Sequence, residues 1–318
     1  MIEYAFIFTF SAIIIKFLTS NKGRAIFAPS GPRTLLIIGN HQEKGSIQSF
    51  GGISFLCACI TILFRHFLTI ECMIIVCISM LSALIGFIDD IEKSNGNGGI
   101  SPMKKLIPHS ISVFIIIFIW YMTDTNIDTS IRLASYSIDI GPLYIIWATF
   151  IIISTVHAVN LTDGIDGLAS TQSILALSGL AMLNVMLPTR SSMIVFDGAF
   201  HMIASLLIFL NFNKHPAKIF MGDIGSLFLG GYISSLFLIS KKEIMLPICG
   251  IIFVAETATS IIQKISLKIA RKKVFPFTPI HHTFEKLGFS ENEIVFYAII
   301  ASIISQIISI FTLNFFII

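Results

Sequence analysis

"IIWATFIIISTVHAVNLTDGIDGLASTQSILALSGL" (Ile145–Leu180) sets two apolar runs on either side of a short polar segment. Each run, extended to its natural ends, approaches the ~20 residues that a helix needs to cross a hydrocarbon core of ~30 Å. Between them Asn160, Asp163 and Asp166 follow one another at intervals of three, with Gly164 and Gly167 directly after the two aspartates. Runs of this length are too long for strands, so the stretch reads as membrane helix, polar loop, membrane helix. The polarity of the loop then has to be explained by what surrounds it.

The same alternation fills the chain. Of its 318 residues 55% are apolar and 12% charged, with a mean hydropathy of +0.88. A soluble domain carries about twice that charged fraction. The fold class expected is therefore all-α: a polytopic integral membrane protein, one transmembrane domain over 1–318. Ten spans are expected at 3–19, 50–68, 70–88, 106–122, 142–160, 168–187, 192–212, 224–240, 243–265 and 294–318, the second interrupted by Arg65 and His66. In lipid the backbone polar groups must be satisfied within these helices. The first run lacks a basic leader and a small-residue cleavage site, and reads as a retained span. Cys57, Cys59, Cys72, Cys77 and Cys249 lie scattered in apolar runs, as packing residues and not as metal ligands or disulfides. A net charge of +3 spread over several loops suggests no nucleic-acid partner.

Basic residues in alternate loops give the orientation. Fifteen lysines and arginines fall in loops after odd-numbered spans, against five (Arg65, Arg132, Arg190, Lys241, Lys242) after even-numbered ones. The positive-inside rule makes the odd loops cytoplasmic and both termini extracytoplasmic. The acids fall on that cytoplasmic face as well. Asp89 and Asp90 end the third expected span, Asp163 and Asp166 follow the fifth, and Asp223 precedes the eighth. His281 and His282 lie in the loop after the ninth.

A lone aspartate at a span end is most often a solvated terminus; only at the bilayer centre does it cost roughly 2.5–3.5 kcal/mol. Five aspartates and two histidines at one mouth are harder to dismiss. Adjacent Asp89 and Asp90 repel each other unless a cation or proton compensates. Mg²⁺, which takes carboxylates together with substrate phosphates, is the expected remedy. The glycines beside the acids permit tight turns, and span N-termini near Leu168 and Ile224 aim free N–H groups where a phosphate could sit. Lys44, Lys104, Lys105, Lys214 and Lys218 could balance a polyanion, although each singly reads first as a topogenic or headgroup contact. Composition and spacing lead as far as phosphoryl transfer at a membrane surface.

The motifs "HQEKGSIQSFGGI", "GFIDDIEK", "GGISPMKKL", "AVNLTDGIDGLAS", "FNKHPAKIFMGDIGSLFLGG", "FVAETATSIIQ" and "FTPIHHTFEKLGFSE" span His41 to Glu291. In that order they resemble the polyprenyl-phosphate N-acetylhexosamine-1-phosphate transferases, and within them the muramoyl-pentapeptide branch. The resemblance implies a Mg²⁺-dependent enzyme of the bacterial inner membrane with a cytoplasmic active site. In such an enzyme an oxygen of undecaprenyl phosphate attacks the β-phosphorus of a UDP-N-acetyl sugar and UMP is released. It also implies roles. Asp89 matches the residue that deprotonates or positions the lipid phosphate, with Asp90 beside it. Asp223 matches the principal Mg²⁺ ligand, with Asp163 a second. Asn160, Asp163, Asp166 and Asn213 match residues of the nucleotide cleft, Phe220 the aromatic that stacks on uracil, and Lys44 and Lys105 basic residues near the substrate. His281 and His282 match histidines that contact the diphosphate and sugar. A homodimer is left open.

Three departures stand out. The branch usually has a third histidine where this chain has Thr283, a Gly-Thr-Pro-Thr-Met stretch where it has Ser46–Phe50, and a lysine where it has Met103. The N-acetylglucosamine-1-phosphate branch also lacks the third histidine and is the alternative donor class. A transporter coupled to ions or protons is the rival of another kind, but its carboxylates belong near mid-span. The mid-span candidates here are Lys16, His109, Asp197, His201 and Glu256. Asp197 and His201, four apart, are expected to pair with each other, and Glu256 to support the cleft from behind. An envelope scaffold would need no clustered acids at all.

Overall fold

The computed structural model describes residues 2–26, 47–67, 69–96, 98–133 and 136–317. Thirteen helices and one hairpin account for most of the described residues. In chain order the helices are α1 (Ile2–Thr19), α2 (Asn21–Ile26), α3 (Leu56–Arg65), α4 (Ile70–Ser94), α5 (Pro102–Thr123), α6 (Tyr144–Thr162) and α7 (Leu168–Met186). They continue with α8 (Ser192–Asn213), α9 (Gly222–Ile239), α10 (Leu246–Cys249), α11 (Ile251–Ile269), α12 (Ile280–Lys286) and α13 (Glu291–Ile317). Among the described residues eight helices are long and apolar enough to cross a membrane: α1, α4, α5, α6, α7, α8, α9 and α13. The protein is thus an all-α polytopic membrane protein.

The two other expected spans differ in kind. Residues 50–68 form a 3₁₀ turn (Gly51–Phe55) running into α3, a shorter apolar helix that ends at Arg65. Residues 243–265 are broken at Gly250 into α10 and α11. α11 carries Glu256, Lys264 and Lys268 within its 19 residues, so its surface is two-sided where a lipid-facing helix would be uniformly apolar.

α9 is the axis of the bundle. All 18 of its residues are buried, and α4 and α6 make its largest contacts. The sequence permits this because one face is nearly without side chains. A Cβ on Gly230 would lie 2.4 Å from Val156 Cα of α6, and one on Gly231 2.8 Å from Ser82 Oγ of α4. Small residues let helices approach in lipid, where hydrophobic exclusion gives no drive between them. Ser234 and Ser235 return their hydroxyls to the carbonyls of Gly230 and Gly231, so no polar group is stranded. α1, α5 and α13 lie at the periphery with about a fifth of their apolar windows buried (22% each).

Between α5 and α6 the chain forms an antiparallel hairpin, β1 (Ser130–Leu133) on β2 (Tyr136–Asp139), with Ser130 opposite Asp139. The sequence showed only a connecting loop here. The hairpin lies at the end of the bundle where α5, α7 and α9 finish. The acidic loops lie at the other end, where α4 and α6 finish and α7 and α9 begin.

Candidate active site

α4 continues six residues beyond its expected end at 88, so Asp89 and Asp90 lie inside its last turns and are buried (0% and 1% exposed). On a helix, neighbouring residues diverge by ~100°, and the two carboxylates have different partners. Asp90 reaches the start of α9: its Oδ1 accepts the Asp223 N–H at 3.1 Å and its Oδ2 the Ile224 N–H at 2.9 Å. It is an N-cap supplied from another helix, satisfying two donors that a helix start leaves open. Gly222 makes the approach possible. It has φ +71°, and a Cβ there would lie 1.9 Å from the Ser49 carbonyl oxygen and 2.6 Å from Asp90 Oδ2.

Asp89 faces the opposite way, into a cluster of charge. Lys93 Nζ lies 2.7 Å from Asp89 Oδ2 and 2.9 Å from Asp223 Oδ1. Lys105 Nζ lies 3.0 Å from the same Asp89 oxygen and 2.8 Å from Asp223 Oδ2. The Ile100 N–H donates to Asp89 Oδ1 at 2.6 Å. Asn160 Nδ2 donates to Asp223 Oδ1 at 3.2 Å and to Ser226 Oγ at 2.8 Å. The expected repulsion between Asp89 and Asp90 is therefore resolved by backbone N–H groups on one and two lysines on the other. Lys93, which the sequence showed only as a loop cation, is central. Its signal was the i,i+4 spacing from Asp89 on one helix face.

Three carboxylate oxygens from two helices thus share two ammonium groups around one point. The donor set is all oxygen, as a hard divalent cation prefers. The residues present fit Mg²⁺. Asp163 lies at the C-cap of α6, three residues beyond Asn160.

The histidines stand in a short helix and not in a loop. α12 buries both His281 and His282. The two Nε2 atoms lie 3.2 Å apart. His282 Nδ1 is 2.6 Å from Glu285 Oε2, and His281 Nδ1 is 3.0 Å from Glu256 Oε2 without hydrogen-bond alignment. With its Nδ1–H given to Glu285, His282 presents Nε2 as the acceptor of the pair. Burial holds the His282 imidazole below its ordinary pKa. Glu256 stands behind the pair, on α11. His281 covers Gly164, where a Cβ would lie 2.1 Å from its Nε2, so the second glycine-requiring position joins α12 to the 160–167 segment. Thr283, in the place of a third histidine, donates its hydroxyl to the Phe277 carbonyl at 2.6 Å and accepts the Phe277 N–H at 3.2 Å. It closes its own loop.

Other expected site residues have identifiable neighbours. Asp166 Oδ2 accepts from His215 Nδ1 and from the Ala217 N–H, both at 3.0 Å, while its own N–H donates to Glu291 Oε2 at 2.8 Å. Asp166, His215 and Glu291 bring ligand atoms within 4.8 Å of one another. His215 and Glu291 were missed in the sequence because each is remote from the loop they clamp. Asn213 accepts from Ser170 Oγ at 2.8 Å and donates to the Ile219 carbonyl at 3.1 Å. Phe220 is 4% exposed and shows little ring face. Its N–H donates to the Gln48 carbonyl at 2.7 Å, and the Gly51 N–H donates to its carbonyl at 2.9 Å. The unusual segment before Gly51 therefore pairs with the segment before Asp223 through backbone atoms, which tolerates altered side chains. Lys44 lies outside the described residues.

The expected Asp197–His201 pair does not form. Asp197 Oδ2 lies 2.8 Å from Arg65 Nε and 2.7 Å from His66 Nε2, whereas His201 meets Glu3 Oε2 at 3.2 Å and Thr61 Oγ1 at 3.2 Å. Both are drawn across helices to the far end of the bundle, where α1, α3 and α8 meet.

Residues 72–241 match the family model described as glycosyl transferase family 4. A phospho-N-acetylmuramoyl-pentapeptide-transferase of Wolbachia sp. subsp. Brugia malayi (strain TRS) is 38% identical, over 98% of this chain and 96% of that protein. Proteins of the same name from Campylobacter lari (strain RM2100 / D67 / ATCC BAA-1060) and Bacillus subtilis (strain 168) are 36% and 34% identical. They align with 84% and 90% of this chain, and with 82% and 87% of their own lengths. The matched span runs from the first turn of α4 to just beyond α9 and so contains Asp89, Lys93, Lys105, Asn160 and Asp223. With a helical membrane fold, an acid–lysine cluster at one end of it and relatives matched nearly end to end, the chain belongs to glycosyl transferase family 4.

Proposed function

We propose that the protein transfers phospho-N-acetylmuramoyl-pentapeptide from its UDP-linked donor to undecaprenyl phosphate, forming a lipid-linked diphosphate and UMP. The observation that carries this reading is the convergence of Asp89 and Asp223, on two helices, around Lys93 and Lys105. Family membership and the relatives' names support it. In the reaction an oxygen of the lipid phosphate forms a bond to the β-phosphorus of the donor. The bond from that phosphorus to the oxygen bridging the α-phosphate breaks, and its electron pair leaves with UMP.

The chain's residues then act as follows. Lys93 and Lys105 are poised to exchange carboxylate partners for phosphate oxygens, which lowers repulsion between two anionic substrates. Asp223, Asp89 and Asp163 would hold Mg²⁺, which supplies charge neutralisation on the diphosphate. A lipid phosphate is largely ionised at neutral pH, so Asp89 serves mainly to position the acceptor. Asp90 fixes the start of α9 and so the place of Asp223. His282 Nε2 offers a site for a proton beside the leaving group, and Glu285 and Glu256 hold the ring pair in place. Asn160 orients Asp223, and the 163–167 segment with Lys44 receives the nucleotide. The excess of lysine and arginine in the loops on the side of this cleft supports a cytoplasmic position for it, in the bacterial inner membrane that the resemblance implies.

The test uses purified protein with Mg²⁺ and undecaprenyl phosphate, given either UDP-N-acetylmuramoyl-pentapeptide or UDP-N-acetylglucosamine, scoring lipid product and UMP. Turnover with the first donor is expected. Turnover with the second alone would overturn the donor assignment, and failure of both in protein that binds UDP-sugar would overturn the reaction.

A further inference from the structure

At the end of the bundle opposite the acidic cleft, a cavity of about 220 Å³ opens among the ends of α7 and α9 and the hairpin. Its lining includes Arg132, Lys241, Lys242 and Thr189 and contains no carboxylate residue. An adjoining cavity of about 420 Å³ shares Arg132, Thr189 and Lys241 but includes Glu71, Asp124 and Asp128. The smaller cavity is therefore cationic, and the larger one is mixed.

The cations of the smaller cavity are unequally compensated. Arg132 is paired with Asp128. Lys241 donates to the Asp128 carbonyl and stands 3.8 Å over the Tyr144 ring. Lys242 is 4% exposed, yet its Nζ donates only to Asn184 Oδ1 at 3.2 Å and the Ser240 carbonyl at 3.0 Å. An ammonium group has three protons, so one is left without a partner among the described residues. Glu243 is next in the chain, and its buried carboxylate acts on both lysines through space without hydrogen-bonding to either. Nor does any carboxylate oxygen among the described residues lie within 4.0 Å of Lys241 or Lys242 Nζ. Burial, helped by the Arg132 guanidinium and opposed by the Glu243 carboxylate, holds both ammonium groups down to about 8. Independently, Thr189 Oγ1 on the cavity wall is buried without a hydrogen-bond partner. Buried ammonium and hydroxyl donors left open around a cavity are what an anion would satisfy.

We propose that this cavity is a binding site for a phosphate-bearing anion, held by Lys242, Arg132 and Lys241 with the Thr189 hydroxyl. Its walls include the last residue of one spanning helix, Met186, and the first after another, Ser240. That places it at the depth of lipid headgroups. Leu133, Tyr136 and Ile138 of the hairpin are exposed nearby and suit acyl chains. The phosphate then comes from an anionic phospholipid or from solution.

The test measures thermal unfolding of the full-length protein in neutral detergent with added phosphatidylglycerol, phosphatidylcholine, inorganic phosphate, or sodium chloride at matched ionic strength. Wild type is compared with Lys242→Gln and Arg132→Gln, the second keeping the test usable if the buried substitution prevents folding. A stabilisation by phosphatidylglycerol over phosphatidylcholine that falls by half or more in the variants establishes the site with a lipid source. The same pattern for inorganic phosphate over chloride establishes it with a soluble source. Equal shifts in wild type and variants, or no anion-specific shift in wild type, would overturn the proposal.

Discussion

Two pairs of lysines, of which only Lys242 is fully buried, stand at opposite ends of the bundle in opposite electrostatic states. At the cleft, Lys93 and Lys105 each bridge Asp89 and Asp223 within 3.0 Å. At the far end, Lys241 and Lys242 meet carbonyl oxygens, a carboxamide and an aromatic ring. Burial of a charge is tolerable when a counter-charge comes with it and costly when it does not. The cleft carries its counter-ions on its own helices and can trade them for substrate phosphate. The far end has unmet donors that need an anion from outside.

The largest effect that could break this comparison is at Asp223. Asp223→Asn removes the charge shared by both cleft lysines and is expected to lower turnover by at least ~10²–10³-fold, with membrane insertion intact. Retained Mg²⁺-dependent UMP release would remove Asp223 from the centre of the site. His282→Ala is expected to reduce kcat by about 10²-fold or more and change the KM for UDP-sugar much less. A defect confined to KM would make the histidine pair a binding element alone.

Asp90→Asn separates the adjacent aspartates. An amide oxygen can accept from the start of α9 but without charge, so the loss is expected chiefly in stability, about 1–3 kcal/mol, read as a lower Tm. If Asp90→Asn instead equals Asp89→Asn in lost turnover at unchanged Tm, the capping role fails.

The smallest effect belongs to the far end. Lys242 has a folded pKa of about 8 against 10.5 when exposed. Above pH 8 the folded state therefore binds fewer protons than the unfolded state, and stability from this group rises toward pH 10.5. Lys242→Met is expected to lessen that rise, the part from Lys241 remaining, while changing turnover little. An identical pH–Tm profile in the variant would show that Lys242 is not buried as a charge.

The membrane helices were legible because lipid imposes length and apolarity locally. The gathering of Asp89, Lys105, Asn160 and Asp223 at one end was legible because loop charge and chain alternation fix which ends share a face. What each carboxylate touches was not. Asp90 and Asp89 are identical neighbours in a string, and only the docking of α4 on α9 makes one a cap and the other a partner of lysines. The same applies to Asp166, clamped by His215 and Glu291 from two other segments, and to Asp197, whose nearest helical neighbour of opposite type lost to Arg65 and His66. The break at Gly250 and the hairpin at 130–139 were hidden for a different reason. Near a membrane surface, short irregular elements leave little periodicity to read.

The complete burial of α9 has a consequence for how the protein is made. Its window has a mean hydropathy of 1.4, well below the 2.3 of α4, because its surroundings are protein and not lipid. A segment of this hydropathy gains less from entering a bilayer alone than α4 does. Its membrane residence depends on α4 and α6, which precede it in the chain and present the surfaces its glycines fit. Once seated, its amides should be the last to exchange with solvent deuterium, since opening them requires parting the whole bundle. The Asp223 carboxylate is thereby mounted on an element that seats only against α4 and α6 and is expected to open last.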